Sequence, residues 1–262
     1  MFSSPIILGD RVFVQCISQG EAFLAALDLR TGADIWRLLR KKEQIWSSPA
    51  LCPLPAEHPL GLPAVLLVVA KEKLSVIDPV NGKELGEYGL GEFVLDSNTI
   101  ISPTGVNGIA YHQGNGIHKI DLTALKPSKS ETDETPTALE PVWIEPKLRS
   151  DNPSPVVRGT KIYTIKAPGI LMQNDTEDGS MDWQIRLEGP FWTTPIIVGN
   201  HLIACNHGGL VQIVSLPKEE GEKGKVVGSV QWEPRFLATP CADSESVYFR
   251  TDQFLRRASS LQ

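Results

Sequence analysis

Five histidines, four cysteines and a scatter of carboxylates are the residues of this 262-residue chain whose types could do chemistry. Metal binding needs donors gathered in space, and nucleophilic catalysis needs a nucleophile beside a base. His58, His112, His118, His201 and His207 show no HxH or HExxH spacing. Only His112 and His118 lie near each other, where the two strands of a hairpin would bring their rings together. Such a pair is more commonly two satisfied imidazoles than a metal site. Cys16, Cys52, Cys205 and Cys241 stand far apart with no CxxC pair, which removes the zinc-ribbon and thioredoxin readings and leaves buried or half-buried free thiols. Gly114 to Gly116 and Gly208-Gly209 precede no helix, so they read as hairpin turns, not phosphate loops.

The carboxylates point elsewhere, because they recur. Asp28, Gly32 and Trp36 are spaced four and four; Asp175, Gly179 and Trp183 repeat that spacing, and Asp78 and Gly82 repeat its first half, with Gly86 at the tryptophan position. The pattern describes a hairpin. A strand ends at Asp, a short loop uses Gly for a positive φ, and the next strand carries an aromatic inward. Asp28, Asp78, Asp121 and Asp175 are therefore expected to stabilise turns. A second marker, Ser or Thr before Pro, opens an apolar strand at Pro5, Pro49, Pro103, Pro155, Pro195 and Pro240, in steps of 44, 54, 52, 40 and 45 residues. Steps of that size suit propeller blades, and Pro suits the first residue of a strand, where its missing N–H costs no ladder bond.

Composition agrees. With 41% apolar residues the chain has material for a large core, and 20 prolines with 22 glycines favour many short strands over long helices. A net charge of −6 argues against non-specific nucleic-acid binding. No run reaches the roughly 18 apolar residues of a membrane-spanning helix, and the start of the sequence shows neither the basic nor the apolar region of a signal peptide.

Four strands fit the first unit, at 6–8, 12–16, 23–27 and 34–39. Trp143 is expected to play the part of Trp36 in the third unit, and Trp232 is grouped with the same anchors in the fifth. Residues 126–140, rich in Ser, Thr, Glu and Pro, read as a mobile insertion with an acidic centre at Glu131 to Glu134. The basic run Arg37 to Lys42 reads as a solvated strand edge. Trp46, just before Pro49, and Phe191 with Trp192, just before Pro195, place aromatics where loops enter the first strand of a blade. They form a candidate partner-binding mouth, with packing between blades as the competing reading.

The Asp28, Gly32 and Trp36 unit, with its Ser/Thr-Pro starts, resembles the PQQ-like (pyrroloquinoline-quinone-type) β-propeller repeat family over nearly the whole chain. Within it the chain is similar to the bacterial proteins related to the outer-membrane assembly factor BamB. The resemblance implies an all-β propeller of four-stranded antiparallel blades in a single domain, 1–262, with blade starts near 4, 48, 102, 154, 194 and 239. Because rings of this family have about seven or eight blades, five full blades and one partial blade imply an incomplete or open ring, the C-terminal portion of a longer ancestor. The implied function is a non-catalytic, BamB-like scaffold for protein–protein binding, with an open blade edge that could support oligomerisation. The alternative is a PQQ-dependent oxidoreductase or a quinone-binding sensor, which would need PQQ with Ca2+. Quinoprotein alcohol dehydrogenases carry adjacent cysteines beside the cofactor, and no two cysteines are neighbours here, so no cofactor is expected. A full-length form with an upstream signal would be periplasmic or otherwise extracytoplasmic.

Overall fold

A computed structural model describes residues 3–43, 45–90, 100–127, 135–219, 221–233 and 235–259. The described residues are strands and connections only, in six sheets, and no helix is long and apolar enough to cross a membrane. The chain divides into two compact units, Met1–Pro146 and Lys147–Gln262, each holding three sheets.

In the first unit, β1 (Ile6–Leu8), β2 (Arg11–Ile17), β3 (Ala22–Asp28) and β4 (Asp34–Leu39) form an antiparallel sheet in chain order. The second sheet holds β5 (Ala50–Pro53), β6 (Ala64–Val69), β7 (Lys73–Ile77) and β8 (Glu84–Gly89); the third holds β9 (Thr104–Val106), β10 (Ile109–Gln113) and β11 (Ile117–Asp121). The chain then places β12 (Thr137–Ala138) parallel on β8 of the second sheet before β13 (Pro141–Glu145) completes the third. The second unit repeats the four-stranded plan with β14 (Val156–Arg158), β15 (Lys161–Lys166), β16 (Ile170–Asp175) and β17 (Met181–Arg186). It does so again with β18 (Ile196–Val198), β19 (His201–Cys205), β20 (Leu210–Ser215) and β21 (Lys225–Gln231). The last sheet has three strands, β22 (Cys241–Ala242), β23 (Ser246–Arg250) and β24 (Leu255–Ser259). Among the described residues five full blades and one partial blade are thus present, each opening at its Ser/Thr-Pro pair.

Turn chemistry explains the hairpins between third and fourth strands. Asp28 Oδ1 accepts from the N–H groups of Arg30 and Thr31 and from the Thr31 hydroxyl, Asp78 Oδ1 from the N–H of Val80, and Asp175 Oδ1 from that of Glu177. Gly32, Gly82 and Gly179 close these loops on the carbonyls of Asp28, Asp78 and Asp175, at φ of 73°, 78° and 79°. A side chain there would be strained. Asp121 makes the same local turn with Thr123. The Thr31 hydroxyl and the two N–H groups hold the Asp28 carboxyl below the usual carboxylate range.

Every full blade carries a bulge at one register position of its outer strand pair: after Ala26, Val76, Lys119, Gln173 and Ile213. The residues opposite those five positions are Trp36, Gly86, Trp143, Trp183 and Gly228. The tryptophans sit over an aromatic of the second strand, Trp36 near Phe13, Trp143 near Tyr111 and Trp183 near Tyr163, at ring separations of 5.9, 6.1 and 6.4 Å. Trp36 also lies flat on the next blade's turn. A Cβ on Gly82 would stand 2.9 Å from its indole, and its Nε1–H donates to the Pro79 carbonyl at 3.1 Å. Trp183 abuts Gly224 of the following blade in the same way.

Three expectations are corrected. Trp232 is not the equivalent anchor: register assigns that place to Gly228, and Trp232, beyond the end of β21, packs on Phe236 and Phe249. The tract 126–140 is in part structured, because β12 pairs with β8 while Leu125 and Leu139 are buried beside it; Glu131 to Glu134 lie outside the described residues. Cys241, at the start of the short β22, is exposed, whereas Cys52 and Cys205 are buried.

Candidate functional site

In each blade the second-to-third turn and the connection to the next blade lie at the same end, because the strands alternate in direction. That connector end is assembled by the Ser/Thr residues of the blade starts. In the first unit the Ser4 N–H donates to Ser48 Oγ and the Ser48 N–H to Ser102 Oγ, both at 2.8 Å. In the second the Ser154 N–H donates to Thr194 Oγ1 at 2.9 Å and the Thr194 N–H to Thr239 Oγ1 at 3.2 Å. Only a hydroxyl residue can accept this bond with so short a side chain, which accounts for the Ser or Thr of the motif as strand initiation accounts for its Pro.

Trp46 and Ser47 occupy the connection from β4 to β5. Trp46 is half-buried, and the buried Ser47 accepts at its carbonyl from Gln15 Nε2 at 3.1 Å. In the second unit Trp192 is 39% exposed and its ring lies tilted by 38° against His207, with centroids 5.7 Å apart. Its loop is pinned on several sides. The His207 N–H donates to the Pro190 carbonyl, Asn206 Nδ2 and Gln212 Nε2 both donate to the Glu188 carbonyl, and the Thr193 hydroxyl donates to the Cys205 carbonyl. An indole held open on a fixed loop offers a broad apolar face at little ordering cost. Phe191 is corrected: it is buried among Tyr163, Trp183 and Leu202 and belongs to the core rather than to a mouth.

The same end of the first unit holds a charged cavity of about 200 Å³, lined by Ile17, Leu39, Arg40, Lys41, Glu43, Ala70, Glu72 and Lys73. Arg40 corrects the solvated-edge reading of the basic run. Alternation along β4 from Trp36 turns Leu38 and Arg40 toward the second blade and leaves Leu39 80% exposed. The Arg40 side chain is only 9% exposed, and that burial pulls its guanidinium below the usual range. Arg37, by contrast, is exposed, paired with Asp34 and stacked on Phe23.

His112 and His118 face each other across β10 and β11, as the hairpin reading required. His118 is saturated: Nε2 donates to Asn115 Oδ1, so Nδ1 accepts from the Tyr88 hydroxyl, both at 2.7 Å. His112 is fully buried and neither ring nitrogen has a partner. Burial pushes His112 down to about 3, with His118 adding to the shift, and His118 down to about 4. One saturated and one isolated imidazole make no metal centre. The repeat carboxylates are likewise turned back onto their own loops, and the thiols stand on four different sheets. These residues do not fit a calcium–quinone group.

The fold has known counterparts. A family model described as "Outer membrane protein assembly factor BamB" matches residues 126–252. No curated protein sequence matches the chain. Among solved structures, BamB from Moraxella catarrhalis is similar with a TM-score of 0.66 and 14% identity, over 97% of this chain and 67% of that one. The Cps50 (Swd1) β-propeller domain of Myceliophteria thermophila is similar with a TM-score of 0.61 and 12% identity, over 99% of this chain and 85% of that one. Identities this low speak for fold alone. The repeat geometry and these likenesses show the fold, an all-β chain of antiparallel propeller blades.

Proposed function

We propose that these blades form a non-catalytic scaffold that binds other proteins through connector-end loops, outside the cytoplasm as its BamB likeness suggests. The observation that carries this is Trp192, exposed and in tilted contact with His207 in a loop fixed by side-chain to backbone bonds. A large aromatic anchor in a preorganised surround is the kind of residue that dominates protein interfaces. The half-buried Trp46 is the corresponding candidate in the first unit. A bound quinone or Ca2+ forms no part of this function. The outer strand β24 pairs only with β23 among the described residues, so its free edge is the place where a second copy would add.

The test is capture from envelope and cytosolic extracts of the native host by wild-type protein, Trp192→Ala and Trp46→Ala, after circular dichroism has confirmed that the variants fold. A specific envelope protein retained by the wild type and lost by Trp192→Ala supports the scaffold. Undiminished capture by both variants removes the aromatic anchors. Dye-linked alcohol oxidation after incubation with pyrroloquinoline quinone and Ca2+ would replace the scaffold by an enzyme.

A further inference from the structure

The cavity at the joint of the first two blades contains a weakly matched cation. Three positive groups surround it. Lys73 is held by Glu84 and Glu87, and Lys41 lies 3.3 Å from Glu72 and 3.7 Å from Glu43. Arg40 is left over. Among the described residues its guanidinium makes one hydrogen bond, from Nη2 to the Ser75 hydroxyl at 3.1 Å, and its nearest carboxylate is Glu84, whose Oε2 stands 4.0 Å from Nη1 while Oε1 is held at 2.8 Å by Lys73. A guanidinium has five N–H donors, and donors withdrawn from water without partners are costly. Here they line an open cavity. Arg meets a carboxylate through two parallel bonds, the geometry that fills most vacant donors at once.

The other walls restrict what that carboxylate can be. Glu43 and Glu72 line the same space, Glu43 almost wholly buried with Oε2 accepting the Lys71 N–H. The lining thus sets two carboxylates among three cations, and a ligand that is anionic throughout would leave Glu43 and Glu72 facing like charge. A ligand whose carboxylate meets Arg40 and whose ammonium shares Glu43 and Glu72 with Lys41, 3.7 and 3.3 Å from them, satisfies both signs. Ile17, Leu39 and Ala70 supply the apolar part. An apolar cavity of about 150 Å³ already holds benzene, so this volume suits a molecule of amino-acid size.

We infer that the cavity between the first two blades is a binding site for a small zwitterion of the amino-acid type with an aliphatic side chain, its carboxylate held by Arg40. The site takes a different class of ligand from the partner protein proposed above and uses neither Trp46 nor Trp192, so either proposal can fail without the other.

Calorimetry with L-leucine, N-acetyl-leucine, leucinamide and inorganic phosphate tests it. L-leucine is expected to bind saturably, with N-acetyl-leucine and leucinamide each at least tenfold weaker. Arg40→Gln is expected to weaken leucine at least tenfold. Should that variant fail to fold, Leu39→Asp, at an exposed position on the rim, is expected to weaken leucine at least threefold with thermal stability unchanged. No saturable leucine binding by the wild type, equal binding of leucine and leucinamide, tighter binding of phosphate, or a Leu39→Asp protein that binds leucine normally would each overturn the assignment.

Discussion

The first and second blades solve one packing problem in two ways. In the first, Trp36 fills the space outside Phe13, lies on Gly82 of its neighbour and donates to Pro79. In the second, the register position of Trp36 is Gly86 and the position of Phe13 is Leu67, paired with Val76 as Phe13 is with Ala26. The space is filled from outside. A Cβ on Gly86 would stand 2.7 Å from Leu125 Cδ2, 3.2 Å from Leu139 Cδ1 and 3.3 Å from the Thr137 carbonyl. All three atoms belong to the segment between β11 and β13. The repeat therefore specifies a volume rather than a residue, and an excursion of the chain can supply it when the blade does not.

The largest effects should come from emptying that volume. Trp183→Ala, at the most buried of the three indoles, is expected to cost ~3–5 kcal/mol, and Leu125→Ala ~2–5 kcal/mol, read from denaturant midpoints. If Leu125→Ala costs under about 1 kcal/mol, the second blade is not plugged as described. Gly86→Trp, which restores the motif, is next. It should destabilise by ~1–3 kcal/mol through overpacking, whereas a stabilised protein would mean that the plug yields.

The joint of the second and third blades should also be acid-labile in a way the Trp36 joint is not. His112 and His118 have folded values below the unfolded value near 6.5. Their contribution is complete above pH 6.5 and is lost as pH falls toward 4 and then 3, because the unfolded chain takes up protons first. Tyr88, whose hydroxyl burial pushes up, stays protonated through that range. Replacing His112 by Leu should flatten the fall of stability between pH 6.5 and 4; an unchanged slope would locate the acid sensitivity elsewhere. The smallest effect belongs to the Ser/Thr links that recur at the joints within each unit. Ser48→Ala removes the acceptor of the Ser4 N–H and should cost about 1 kcal/mol, while Ser48→Thr should be nearly neutral.

Much of this was readable in the sequence because it is local. Asp28, Asp78 and Asp175 bond to groups two or three residues away, and Gly32, Gly82 and Gly179 answer to their own φ, so spacing alone revealed the hairpins. Trp232 misled because an aromatic near a strand was taken for the anchor, although four residues past Gly224 is Gly228. Arg40 was hidden for a similar reason. Two adjacent leucines cannot both face inward on a strand, and counting by two from Trp36 reaches Leu38 and Arg40. For β12 there was no signal: Thr137 and Ala138 are two residues without an apolar pattern, and their pairing with Gly86 and Glu87 joins segments about fifty positions apart. Of the proposed mouth, the sequence located Trp46 and Trp192, but not the His207 contact or the burial of Phe191, which depend on which way each ring turns.

The clasp made by β12 has a bearing on where the molecule can be cut. Between the first two blades the chain crosses once, so that boundary is a natural seam for circular permutation, blade exchange or limited proteolysis. Between the second and third the chain leaves one sheet, joins its neighbour and returns before the fourth strand is laid down. Those two blades form one indivisible module, and shortening libraries or hybrid propellers should keep residues 50–145 together.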